Sequence, residues 1–224
     1  ALYWLVRTPT RNRTAALHAA SFFALTPGLV LFFPQFDQCF PVISCLLIGT
    51  WWLALTTGRA HYALGCGLIL SAILFISWNF LVLGTFMAML ALIHIFRQGR
   101  AGLFPVARQA LLALGVVVIV YLLLWQTLGY NPLLTFRTAL DLERAMAATY
   151  GRSYPATILF DLTDFLFGSG WLGGLLALMY LIRKAARREW DRELALATAA
   201  LLQLLVVAVT GLMRCETIRT WLFM

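Results

Sequence analysis

The sequence predicts an all-α fold: a polytopic transmembrane helix bundle of about seven spans plus the start of an eighth, with an amphipathic interfacial helix in a long outer loop. Three observations predict it. Apolar runs of membrane-crossing length recur along the chain, Arg and Lys gather in every second gap between them, and the composition is 62% hydrophobic against 12% charged.

The runs cover 14–33, 39–57, 62–77, 79–96, 109–129, 159–182 and 194–212, and an eighth opens near Thr220. A helix rises about 1.5 Å per residue, so it needs about 20 apolar residues to cross ~30 Å of hydrocarbon. No water satisfies backbone amides within the bilayer core, so runs this apolar must be helices with internal hydrogen bonds. The two-residue alternation of an outer-membrane barrel is absent.

The basic residues assign sides, because cytoplasmic loops retain Lys and Arg during insertion. One set of gaps holds Arg7, Arg11, Arg13, Arg59, Arg97, Arg100, Arg108, Arg183, Lys184, Arg187, Arg188 and Arg192, which are 12 of the 17 basic residues. The other set holds Arg137, Arg144, Arg152, Arg214 and Arg219, together with most of the acids: Asp37, Asp141, Glu143, Asp161, Asp164 and Glu216. The first set is expected to face the cytoplasm.

A mean hydropathy of +0.86 excludes an ordinary soluble domain, whose chain carries about 25% charged residues. The net charge of +8 does not indicate nucleic acid. The cations sit in short clusters flanking the spans rather than on one continuous face, and anionic lipid headgroups are the partner they suit. Arg183, Lys184, Arg187 and Arg188 read as a topological anchor. Cys39, Cys45, Cys66 and Cys215 lack metal-site spacing and read as small apolar residues, with no disulfide expected. The chain opens on Ala1 without an initiator Met and stops just inside a new apolar segment, so it reads as part of a longer protein.

The whole of 1–224 reads as a single transmembrane domain. Most gaps are tight: Pro34 to Gln38 outside, Gly58 to His61 inside, and Ser77 to Asn79 as an outer hairpin tip. Helices joined so closely are expected to be antiparallel neighbours. The outer segment 129–158 is the exception. Its middle, Leu133 to Tyr150, puts Leu134, Ala139, Leu142, Met146 and Ala147 near one side at helical spacing, with Arg137, Asp141, Glu143 and Arg144 off it. Pro132 and Gly151 mark its entry and exit.

Three constellations could carry chemistry. Asp37, flanked by Gln35 and Gln38, follows a helix weakened by Pro27, Gly28 and Pro34, and reads either as the cap of the next helix or as a polar site facing a cavity. In Arg214-Cys215-Glu216-Thr217-Ile218-Arg219, Glu216 and Arg219 are spaced to pair on a helix, which leaves Arg214 for an anion or for an ordinary interfacial ion pair. The outer loop joins Arg137, Arg144 and Arg152 to Tyr150 and Tyr154, a set suited to a phosphorylated lipid. Asp161 and Asp164 follow, and could simply complement the positive end of their helix. His18, His61 and His94 show no ligand spacing, and Trp51, Trp52, Trp78, Trp125, Trp171 and Trp190 read as interface aromatics. No nucleotide loop or Ser/His/Asp set is present.

Three stretches, Thr26-Pro27 to Gln38, Gly129-Tyr130-Asn131-Pro132 to Leu166, and Arg214 to Phe223, together resemble the later membrane helices of GT-C type glycosyltransferases. This class includes bacterial members related to protein mannosyltransferases and aminoarabinose transferases. The resemblance implies transfer of a sugar from a polyprenyl-phosphate-type lipid donor to an acceptor lipid, glycan or protein on the non-cytoplasmic side of a bacterial inner membrane. It implies that Asp37, Gln38, Arg137, Arg152, Tyr154, Arg214, Glu216 and Arg219 contribute to the substrate site. The acidic residue that serves as base in that class would lie upstream of Ala1, so none is assigned. No cofactor is identified; Asp37 and Glu216 are isolated carboxylates to which a divalent cation could bind. A transporter or lipid flippase is the competing expectation, with helix breaks at Pro27 and Gly168-Ser169-Gly170, and a non-catalytic scaffold is a third.

Overall fold

The computed structural model describes residues 1–26, 39–150, 154–169, 171–187 and 191–210. Among these residues the chain is helical and contains no strand. The helices are α1 (Leu2–Thr10), α2 (Arg13–Ala24), α3 (Phe40–Thr57), α4 (Ala60–Ile76), α5 (Leu81–Gln98), α6 (Leu103–Leu128), α7 (Pro132–Tyr150), α8 (Tyr154–Ser169), α9 (Trp171–Ala186) and α10 (Arg192–Thr210). They divide into two compact units, one of residues 1–45 and 152–224, the other Leu46–Gly151.

Among the described residues two helical stretches are long and apolar enough to cross a membrane, Phe40–Thr57 and the 48-residue Leu81–Leu128. A third qualifies if Ile158–Gly168 and Trp171–Ala186, bent by 103°, are one broken span. Seven such helices were expected. Part of the difference is length: Ala60–Ile76 and Glu193–Val209 are apolar but shorter than 18 residues. Part is where helices break. The run 159–182 falls into α8 and α9, whereas the expected runs 79–96 and 109–129 both lie within the single stretch Leu81–Leu128, which a 3₁₀ turn at Gly99–Gly102 divides into α5 of 18 residues and α6 of 26. The run 14–33 ends as helix at Ala24, and Pro27 to Gln38 lie outside the described residues.

In the unit Leu46–Gly151, α4 and α6 run side by side in the same direction. At one end the Gly58 carbonyl before α4 accepts hydrogen bonds from Arg108 Nη2 and Gln109 Nε2, both at 2.7 Å. In the middle Gly67 meets Ala113, and a β-carbon at Gly67 would fall 2.5 Å from the Ala113 carbonyl oxygen. Toward the other end the Tyr121 hydroxyl donates to the Ser71 carbonyl at 3.3 Å. The closest pairing is thus between helices separated by another helix rather than between consecutive ones. A glycine permits it, because small residues let helix backbones approach closely. Trp51 of α3 reaches α5, its indole N–H donating to the Met87 carbonyl at 2.9 Å. By contrast α5 and α6 splay apart around an apolar groove of about 450 Å³.

The other unit contains α1, α2, α8, α9 and α10. Arg11 takes the left-handed conformation (φ 54°) between α1 and α2, and Asn12 Oδ1 caps α2 by accepting from the Ala15 N–H at 3.0 Å. Asp191 caps α10, its Oδ1 accepting from the Leu194 N–H at 2.7 Å. Its Oδ2 meets Lys184 Nζ at the end of α9, also at 2.7 Å. The lysine beside it holds the Asp191 carboxyl below its usual range. One residue of the expected basic anchor is therefore also a tie between two helices.

Candidate functional site

The outer loop is built as a sharp corner. Gly129 ends α6 at φ 67°, a conformation that costs a residue without a β-carbon little. Its N–H donates to the Trp125 carbonyl at 3.0 Å, the bond of an αL C-terminal motif, and the Tyr130 N–H reaches back to the Leu124 carbonyl at 3.3 Å. Asn131 then starts α7. Its Oδ1 accepts from the Leu133 and Leu134 N–H groups, both at 3.1 Å, and Pro132 takes the first helical position, where no N–H is needed. Three residues thus separate the end of a 26-residue helix from the start of a 19-residue one.

A cluster of rings holds the corner. Trp78, in the turn before α5, lies edge-on to Phe136 of α7 at 5.3 Å and stacks with Tyr121 of α6 at 6.2 Å. Tyr130 contacts Tyr121 at 6.0 Å and Phe75 of α4 at 5.3 Å. Such pairs contribute about 0.5–1.5 kcal/mol each beyond the area they bury. The first turns of α7 are therefore fixed against the ends of α4 and α6. Leu134 and Leu142 are 63% and 61% exposed, so no described residue covers that side of α7. An amphipathic helix lying at a membrane interface has this character.

Within the corner lies a pocket of about 300 Å³ lined by Trp125, Asn131, Pro132, Leu133, Leu134 and Arg137. Its walls are apolar apart from Asn131 and the Arg137 guanidinium. Arg137 is exposed and has no carboxylate partner among the described residues. Asp141, one turn farther on, instead meets Arg144 at 3.5 Å.

Of the eight residues that the sequence nominates, Arg137 alone has a described side chain. Asp37, Gln38, Arg152, Arg214, Glu216 and Arg219 lie outside the described residues. Tyr154 begins α8, in the other unit, and its side chain is likewise outside the description. Trp125 and Asn131 join Arg137 at the pocket without having been nominated. The signal for Asn131 was the Gly-x-Asn-Pro spacing, which places a helix stop two residues before a helix cap. Among the described residues no group of three or more His, Cys, Asp or Glu side chains could hold a metal ion.

No family model, curated protein or solved structure matches the chain.

Proposed function

We propose that this chain is part of a multi-pass membrane glycosyltransferase that moves a sugar from a polyprenyl-phosphate-type lipid donor to an acceptor lipid, glycan or protein on the non-cytoplasmic face. Its apolar runs make about seven crossings and begin an eighth, the basic gaps face the cytoplasm, and the membrane is a bacterial inner membrane. At ~1.5 Å per residue, the 26-residue α6 is long enough to cross alone.

The observation that carries this reading is α7: a 19-residue helix, apolar along one side and charged along the other, turned sharply from the end of an apolar 26-residue helix. Such a helix at the outer interface gives a lipid-linked substrate a surface on which to present its phosphate. In this reading Arg152, Arg214 and Arg219 neutralise the donor phosphate as it departs, which lowers the barrier most in a site that excludes water. Asp37, Gln38, Tyr154 and Glu216 orient the sugar and the acceptor. The acceptor hydroxyl must lose its proton to a base, a role assigned to none of these residues.

Arg214→Ala or Arg219→Ala in the full-length protein is expected to abolish sugar transfer in proteoliposomes while leaving expression intact. Turnover equal to that of the unmodified protein rejects the assignment.

One observation favours a second reading, that of a transporter or lipid flippase. The sharp bend between α8 and α9 makes a discontinuous apolar pair, a feature that frames substrate sites in transporters. Substrate flux without covalent transfer would select it.

A further inference from the structure

We infer that the α6–α7 corner binds the headgroup of an anionic phospholipid, with Arg137 meeting the phosphate and Trp125 lying beside the glycerol ester region. The inference rests on the membrane placement of the chain and not on sugar transfer.

Four observations carry it. The pocket has a volume of about 300 Å³, at the lower end of the range for ligand sites. Its polar groups are accounted for except one. Asn131 Oδ1 is engaged by the Leu133 and Leu134 N–H groups, so those amides are not free to hold an anion. Asp141, the acid nearest Arg137 along the helix face, pairs with Arg144 instead. What remains is one guanidinium against apolar walls, which complements a single negative charge attached to hydrocarbon. The fourth observation is where the pocket opens. Trp125 is 53% exposed and Leu133 is 73% exposed, so the walls face outward from their unit, where a bilayer would lie, rather than into its core. They stand at the end of a membrane-length helix, the depth at which tryptophan meets lipid headgroups. A soluble anion would leave those apolar walls in water, whereas a phospholipid covers them with its ester region and first methylenes.

The test is native mass spectrometry of the delipidated protein with phosphatidylglycerol and, separately, phosphatidylcholine. Selective retention of phosphatidylglycerol is expected, reduced roughly fivefold by Arg137→Gln, the share of one basic residue in attraction to anionic lipid. Arg100→Gln, in the turn before α6 and outside the pocket, is expected to retain the lipid as the unmodified protein does. Brominated phosphatidylglycerol should quench tryptophan fluorescence, with part of that quenching lost in Trp125→Phe, a reading that does not depend on any arginine variant. Equal retention by Arg137→Gln and the unmodified protein would overturn the proposal. So would displacement of phosphatidylglycerol by equimolar inorganic phosphate, which would mean that the anion alone is recognised. Displacement by polyprenyl phosphate would overturn it too and assign the corner to the donor. Phosphatidylglycerol selectivity in a protein that transfers no sugar supports this site and rejects the glycosyltransferase reading alone.

Discussion

Gly67 of α4 faces the backbone carbonyl of Ala113 on α6 so closely that a β-carbon there would lie 2.5 Å from the oxygen and 2.8 Å from Val116 Cβ. Neither neighbour is the end of a flexible chain, so relief requires the helices to separate. Gly67→Ala is expected to destabilise the protein by about 1–3 kcal/mol, the usual cost of overpacking. Gly65→Ala, on the same helix with nothing within 4 Å, is expected to be neutral or slightly stabilising. Thermal unfolding of both variants in the same detergent checks this.

Trp78 is expected to hold the start of α7 through Phe136. Trp78→Ala removes that contact and the stack on Tyr121, costing about 1–3 kcal/mol locally from two aromatic pairs. Hydrogen exchange at 133–138 should accelerate, and Trp78→Phe should recover most of the protection. No change in exchange at α7 would mean that another contact fixes the corner.

Asp191 links α9 to α10 in two ways, as a helix cap and as the partner of Lys184. Its carboxyl is held below the usual carboxylate value, chiefly by the hydrogen bond from Lys184. A lowered folded-state value means that the anion stabilises the fold above the ordinary carboxylate pKa, and that this contribution is lost as pH falls from there through the lowered value. Asp191→Ala is expected to cost about 0.5–2 kcal/mol through loss of the cap. Asp191→Asn keeps a capping oxygen, so it should cost less and flatten the loss of stability at acidic pH. Unfolding measured from neutral pH to about pH 3 with each variant separates the two contributions. Equal costs for the two variants would show that the charge, not the cap, is what matters.

Helix positions were legible where the apolar signal was bounded by turn residues. The run 39–57 corresponds to Phe40–Thr57, 62–77 to Ala60–Ile76, and the amphipathic segment from Leu133 to Pro132–Tyr150. The start of α6 was placed late, at 109 instead of Leu103. Arg108 and Gln109 lowered the apparent hydropathy there, yet both are satisfied by the Gly58 carbonyl, a contact about 50 residues distant in sequence. Pairing between helices was not legible. Short turns suggested that consecutive helices pack together, whereas the tightest contact joins α4 to α6 through Gly67 and Ala113, and nothing in a single apolar run identifies which glycine meets which backbone. At the candidate site, Arg137 was found as an outer cation, but its pocket depends on the Gly129–Asn131 corner, which brings Trp125 of one helix beside the first turns of the next.

Both the transferase reading and the phospholipid site require α6 to cross the membrane, with the turn before it inside and α7 outside. The direct measurement is labelling of single cysteines by a membrane-impermeant maleimide in intact cells, after replacing Cys39, Cys45, Cys66 and Cys215 with Ser. Thr138→Cys on α7 is expected to react in intact cells, and Arg100→Cys, in the turn before α6, only after permeabilisation. Labelling of both residues from the same side would contradict the account.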